Sequence, residues 1–305
     1  MALSSAAQAA DRYTSGPEVL AARSSSIVTG PVEGYDRKVL ATSQPPGPDA
    51  FPVKWVASGT LQQPAVIKGR LRGPVNFARP EQSLLLPEDG SREAWELEYG
   101  DVVPGGKVVV FIASDANPSA VKAIPTGAEE QDLARLVREV VAIQSRPPHE
   151  LEGAWLGYLR SASMDQGRKA ALRTLVQRDV AWKPLAANLD ALMADKSTTG
   201  GTREFAFGIV VFALTQGHWA AEQPVVADFL CRQFEREQQP KLLLSYILVL
   251  KLALKYSTEQ ATLAARQPLR NRVVDCLKRR EAEASRLPEL AEQYRQLRAA
   301  HSGLF

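Results

Sequence analysis

The stretch YGDVVPGGKVVVFIA, residues 99–113, decides what fold the first part of the chain can adopt. Read as a phosphate loop, residues 100–107 would open a helix and put a nucleotide site in a βαβ unit. Such a loop needs Gly, four residues, then Gly-Lys-Ser/Thr running into a helix, so that backbone N–H groups and the lysine converge on phosphates. Here Gly100 is followed by four residues and then by Gly105-Gly106-Lys107-Val108, which is one residue too many, lacks the hydroxyl and continues into β-prone VVVF. Pro104-Gly105-Gly106 reads instead as turn chemistry, in which Pro presets φ and Gly supplies a positive φ. The turn is predicted to join strands at residues 95–99 and 107–113 of an antiparallel sheet.

Working outward, the same punctuation recurs. SIVTG at 26–30 is β-branched and closed by Gly, and from Val53 the runs VKWVASGTLQ, AVIKG, VNFA, SLLLP and AWELEYG are separated by Pro64, Gly73-Pro74, Pro80 and Pro87. Segments this short leave no room for the dozen-residue crossovers of parallel units, so a small antiparallel sheet or barrel is expected. Most of residues 1–50, with SSS at 24–26 and QPPGPD at 44–49, reads as tail and loop.

The texture changes near residue 126. Thr126 and Glu129 form a capping-box pattern, with Leu133, Leu136, Val137, Val140 and Val141 at helical spacing behind it. From there only helices are predicted, with starts after Pro147-Pro148 and Ser163, and further segments at 182–195, 202–217, from Pro224, from Pro240, and at 257–265, 268–284 and 288–300. The segments 205–214 and 242–254 are apolar on most sides and must be buried between neighbours. Phe205, Phe207, Val210, Val211, Leu243, Ile247 and Leu250 are the expected interior. Short loops between such helices make a bundle or an irregular α-solenoid of the HEAT type, although the residues themselves show no repeat.

Composition narrows the function classes. The 305 residues carry 37 basic and 34 acidic side chains, a formal charge of +3, too balanced to announce a nucleic-acid or membrane-surface protein. No run reaches the roughly 20 apolar residues of a membrane span. His149, His218 and His301 stand far apart, and no Cys or His lies at zinc-ligand spacing. Neither G-x-S-x-G nor H-E-x-x-H occurs. Glu129-Glu130 has a helix-dipole explanation, and KSTTGGT at 196–202 reads as a mobile interhelical loop. No catalytic, cofactor-binding or metal residue is assigned. Cys231 and Cys276 each sit among helix-forming apolar residues on helices expected to be next-but-one neighbours, so they read either as two buried thiols or as a disulfide. At the N-terminus, Ala7-Gln8-Ala9 has the small-x-small form of an export-cleavage site, or belongs to an Ala/Ser-rich tail.

The succession SSSIVTGPV, KWVASGTLQQPAVIKG, PGGKVVVFIA and AVKAIPTG resembles bacterial exported domains related to the netrin/TIMP-like OB barrel. The resemblance covers roughly residues 20–127. It implies a five-stranded barrel and export, and carries over no catalytic residue; the N-terminal cysteines of the animal members are missing, against an inhibitor role. The expected architecture is therefore α+β in two domains: a tail at 1–22, an OB/netrin-like β-barrel at 23–125 and an all-helical domain at 126–305. The expected function is that of a non-catalytic, extracytoplasmic protein-interaction or assembly protein without cofactor. An alternative is a cytoplasmic OB-type binder of single-stranded nucleic acid, with Trp55, Phe77, Trp95, Tyr99 and Phe111 to stack bases and Lys68, Arg70, Arg72 and Arg79 as cations. A third is an enzyme with a site between the domains.

Overall fold

A computed structural model of the chain describes residues 16–39, 54–71, 73–82, 99–113, 121–127, 132–259, 263–284, 286–301 and 303. The residues around Ala7-Gln8-Ala9, the SLLLP run and most of AWELEYG, Trp95 and Glu129-Glu130 lie outside them. The protein is α+β, and the described residues form seven strands in two antiparallel sheets and ten helices. It divides into two compact units, Met1–Leu151 and Glu152–Phe305.

The first unit holds strands β1 (Ser26–Pro31), β2 (Glu33–Val39), β3 (Lys54–Leu61), β4 (Ala65–Lys68), β5 (Val75–Gln82), β6 (Lys107–Ile112) and β7 (Val121–Pro125). One sheet has the order β4-β1-β6-β7 and the other β2-β3-β5. After the exposed Lys107, the run VVVFI is continuously apolar because β6 is covered on both sides. Val108, Val110 and Ile112 join Val28, Leu61 and Phe77 in the core between the sheets. Val109 and Phe111 are equally buried on the opposite face, where helix α2 (Leu133–Gln144) packs over β4 and β6. Helix α1 (Pro17–Arg23) lies against α2, with Gln144 Nε2 donating to Glu18 O at 2.8 Å.

Several expectations need correction here. Among the described residues neither sheet closes into a barrel. The chain leaves one sheet for the other at Pro31, which has no N–H to extend the ladder, while Val32 N donates to Gly106 O at 2.9 Å and turns β2 away. The EGYDRKV segment is a strand, not loop, and residues 17–23 are helical rather than tail. The helix expected from the Thr126/Glu129 capping box starts instead at Leu133, because Asp132 accepts from Ala134 N and Arg135 N at 2.9 and 3.2 Å.

The second unit consists of α3 (Leu151–Ser161, beginning at the division), α4 (Asp165–Gln177), α5 (Trp182–Ala194), α6 (Gly200–Thr215), α7 (Gln223–Arg236), α8 (Pro240–Glu259), α9 (Leu263–Ala284) and α10 (Pro288–Ala300). No separate helix spans 257–265, since Ser257 ends within α8 and Leu263 opens α9. From α4 onward next-but-one helices pack together, α4, α6, α8 and α10 in one row and α5, α7 and α9 in the other. Helices α7 and α9 run parallel. Asp228 meets Arg272 and, one heptad on, Glu235 meets Arg279, so both helices advance together. The seven interior positions expected on α6 and α8 are all buried.

Candidate functional site

The 103–106 segment forms a turn closed by Gly106 N donating to Val103 O at 3.0 Å, with Pro104 at the second position and Gly105 at the third. Gly105 has φ +69°, which makes this a type II turn. Lys107 then enters β6 directly, paired with Pro31 of β1. Its Gly106 amide is spent within the turn and the Gly106 carbonyl on Val32, so the segment is not a phosphate cradle. The strand expected at 95–99 falls largely outside the described residues, and Tyr99 itself lies in a short helical turn.

Beside this turn the first unit has a cleft of about 580 Å³ lined by Thr29, Gly30, Ala65, Lys107, Thr126, Gly127, Asp132, Ala134 and Arg138. It opens where the ends of β1, β6 and β7 meet the start of α2. Thr29 Oγ1 donates to Val108 O at 2.9 Å, and Asp132 is engaged as the helix cap. Lys107 and Arg138 supply its cations. No spacing motif announces this cleft, since its residues come from four separate segments of the chain.

Of the groups expected to hold nucleic acid, Trp95, Arg72 and the Trp55 side chain lie outside the described residues and Arg70 is exposed, while the others are otherwise employed. Phe77, Tyr99 and Phe111 are buried and present no face for a base to stack on. Arg79 is buried as well. Lys68 Nζ donates to Ala21 O at 2.7 Å, closing the C-terminal end of α1; burial holds its ammonium below the usual lysine range. The KSTTGGT segment is not a slack loop. Ser197 N donates to Asp195 Oδ1 at 2.8 Å, Thr199 Oγ1 donates to Asp165 Oδ2 at 2.5 Å and accepts from Thr202 N, and Gly200-Gly201 open α6.

In the helical unit the polar side chains tie helices together. Glu237, which follows α7, accepts from Gln238 N and Gln239 N at 3.0 and 2.9 Å and pairs with Arg203 of α6 at 3.1 Å, the two side chains being 5% and 18% exposed. Arg280 of α9 donates to the carbonyls of Phe234 and Glu237. His218 Nδ1 bonds Asp179 Oδ1 at 2.8 Å, and the neighbouring Trp219 Nε1 donates to Val180 O at 2.8 Å. His149 is an exposed residue before α3 and His301 follows α10, so the histidines do not converge. Among the described residues no group of three or more His, Cys, Asp or Glu could hold a metal ion.

Cys231 and Cys276 are both free and buried. Cys231 Sγ donates to Arg272 O at 3.6 Å, the carbonyl one helical turn before Cys276. Its hydrogen bond with Cys231, together with burial, pushes the Cys276 thiol far above the ordinary thiol range. No helix among the described residues is long and apolar enough to cross a membrane. No family model, curated protein or solved structure matches the chain.

Proposed function

We propose that the protein is a non-catalytic interaction or assembly protein whose helical unit is an irregular α-solenoid that presents its surface to a protein partner. The observation carrying this reading is the register within each row. Side chains bonded across next-but-one helices are 43 residues apart for Asp190 and Gln233, 44 for Asp228 and Arg272, and 42 for Lys251 and Gln293. That recurrence approximates the roughly 40–47-residue period of HEAT and armadillo arrays. An array bonded only to near neighbours leaves long continuous faces exposed, the kind of surface such proteins use for partners.

The burial of Phe77, Tyr99 and Phe111 weighs against base stacking and so favours a protein partner over single-stranded nucleic acid. The netrin/OB-like relationship of the first unit stays part of the proposal, resting on its Gly-closed first strand and the PGG turn before β6. The test is isolation of the tagged full-length protein from its native cell under low salt, with and without cross-linking. A protein partner near one-to-one stoichiometry is expected. Migration as a lone chain in both preparations would sink the interaction reading, and oligonucleotide binding that weakens steeply with salt would replace it. Export is tested separately by fractionating cells that make the native protein; recovery from the cytoplasm alone would remove it.

A further inference from the structure

We propose that Cys231 and Cys276 are an oxidative cross-linking site, joined as an intramolecular disulfide by a small-molecule or protein disulfide only while the α7–α9 contact is open. The placement comes from the two helices. Cys231 lies between Asp228 and Glu235 on α7, and Cys276 lies between Arg272 and Arg279 on α9. The bidentate Asp228–Arg272 pair, at 2.6 and 3.1 Å, and the Glu235–Arg279 pair, at 2.8 Å, bracket the thiols at either end. They set the parallel register that brings Cys231 Sγ to the carbonyl one turn before Cys276. Residues 45 positions apart (276 − 231) are thereby held face to face.

The same packing withholds them from chemistry. Cys231 is 4% exposed and Cys276 0%, so no disulfide reagent reaches them in the closed array. The thiolate is the attacking species, and the hydrogen bond with Cys231 together with burial keeps Cys276 protonated. When α7 and α9 separate, one cysteine gives its proton to solvent and its thiolate attacks a sulfur of the external disulfide. That S–S bond breaks and one external thiolate leaves. The second cysteine, also deprotonated, then attacks the protein-side sulfur of the mixed disulfide and expels the second external thiolate. The two protein thiols lose two electrons and the external disulfide gains them. Re-closure buries the product, shielding it from reduction.

The experiment uses the full chain with oxidised glutathione in mildly alkaline buffer, applied either to the folded protein or during refolding from urea. Thiols are then blocked in denaturant and the intact mass measured. The folded protein should keep both thiols, while the refolded protein should lose two hydrogens and yield a single cross-linked peptide pair containing Cys231 and Cys276. Asp228→Asn removes one bracket and should speed oxidation of the folded protein severalfold, in line with an exposed pair's worth of roughly 0.2–1 kcal/mol, or about 1.4- to 5-fold. Glutathione adducts or disulfide-linked dimers in place of the internal bond would overturn the proposal. Equal oxidation rates for folded and refolding protein would also overturn it, as would an Asp228→Asn rate identical to the parent's.

Discussion

At the residue scale, two glycines show how local geometry fixes the sign of one substitution. Gly69 has φ +78°, and a Cβ there would sit 2.5 Å from Ser25 O and 2.6 Å from Ser26 Oγ. Gly69→Ala meets both a backbone penalty and backbone atoms that cannot yield, so a loss of about 2 kcal/mol or more is expected in urea unfolding. Gly153 lies inside α3 with nothing within 4 Å of its added Cβ, and Gly153→Ala should stabilise by up to about 1 kcal/mol. The Arg203–Glu237 pair sets a larger scale, because both side chains are well shielded. Glu237→Gln leaves the guanidinium without its counter-charge and should cost about 3 kcal/mol in the same measurement. Combining it with Arg203→Met should recover part of that loss, because removing both charges is milder than stranding one.

At the element scale, the α7–α9 contact carries a pH signature. The Arg272 hydrogen bond beside Asp228 holds its carboxyl below the usual carboxylate range, against the opposing effect of burial. A carboxylate depressed in the folded state stabilises above its unfolded pKa of roughly 4 and loses that contribution as pH falls through the lower folded value. Asp228→Asn should therefore cost about 0.5–1 kcal/mol at neutral pH, the modest size reflecting half-exposed side chains. The difference from the parent protein should vanish in strong acid, as read from paired urea titrations. Elements of this kind were only partly legible in the sequence. β6 announces itself because a strand covered on both faces is apolar along its buried length, and β1 does so by its β-branched residues before Gly30. β2 does not, since EGYDRKV is a largely exposed edge strand with no alternation to see. Helix α1 has no side-chain cap. At α2 a plausible capping box at Thr126 competes in the sequence with Asp132, whose side chain is the one that caps the helix. The cleft near Lys107 and Arg138 was not legible at all, because sheet pairing rather than spacing assembles it.

At the scale of the helical unit, a stack that propagates by near neighbours and a bundle with one shared core respond differently to damage at one end. Leu290, Tyr294 and Leu297 of α10 are buried, and Tyr294 Oη donates to Leu277 O at 3.0 Å. The main contacts of α10 are with α8 and α9, those of α4 with α6, and those of α5 with α6 and α7. Deleting residues 286–305 removes the Tyr294 hydrogen bond to Leu277 O and the Gln293 and Gln296 acceptors of Lys251, whereas α4 and α5 make their main contacts elsewhere. Stability in such an array is close to a sum of local and neighbour contributions. Amide exchange should therefore speed markedly in α8 and α9 of the truncated chain and stay within error in α4 and α5, as followed by mass spectrometry on peptides from each helix. A uniform loss of protection from α4 to α9 would mean that the helices share one cooperative core. The 42–44-residue register would then be a coincidence of helix lengths rather than the mark of a repeating stack.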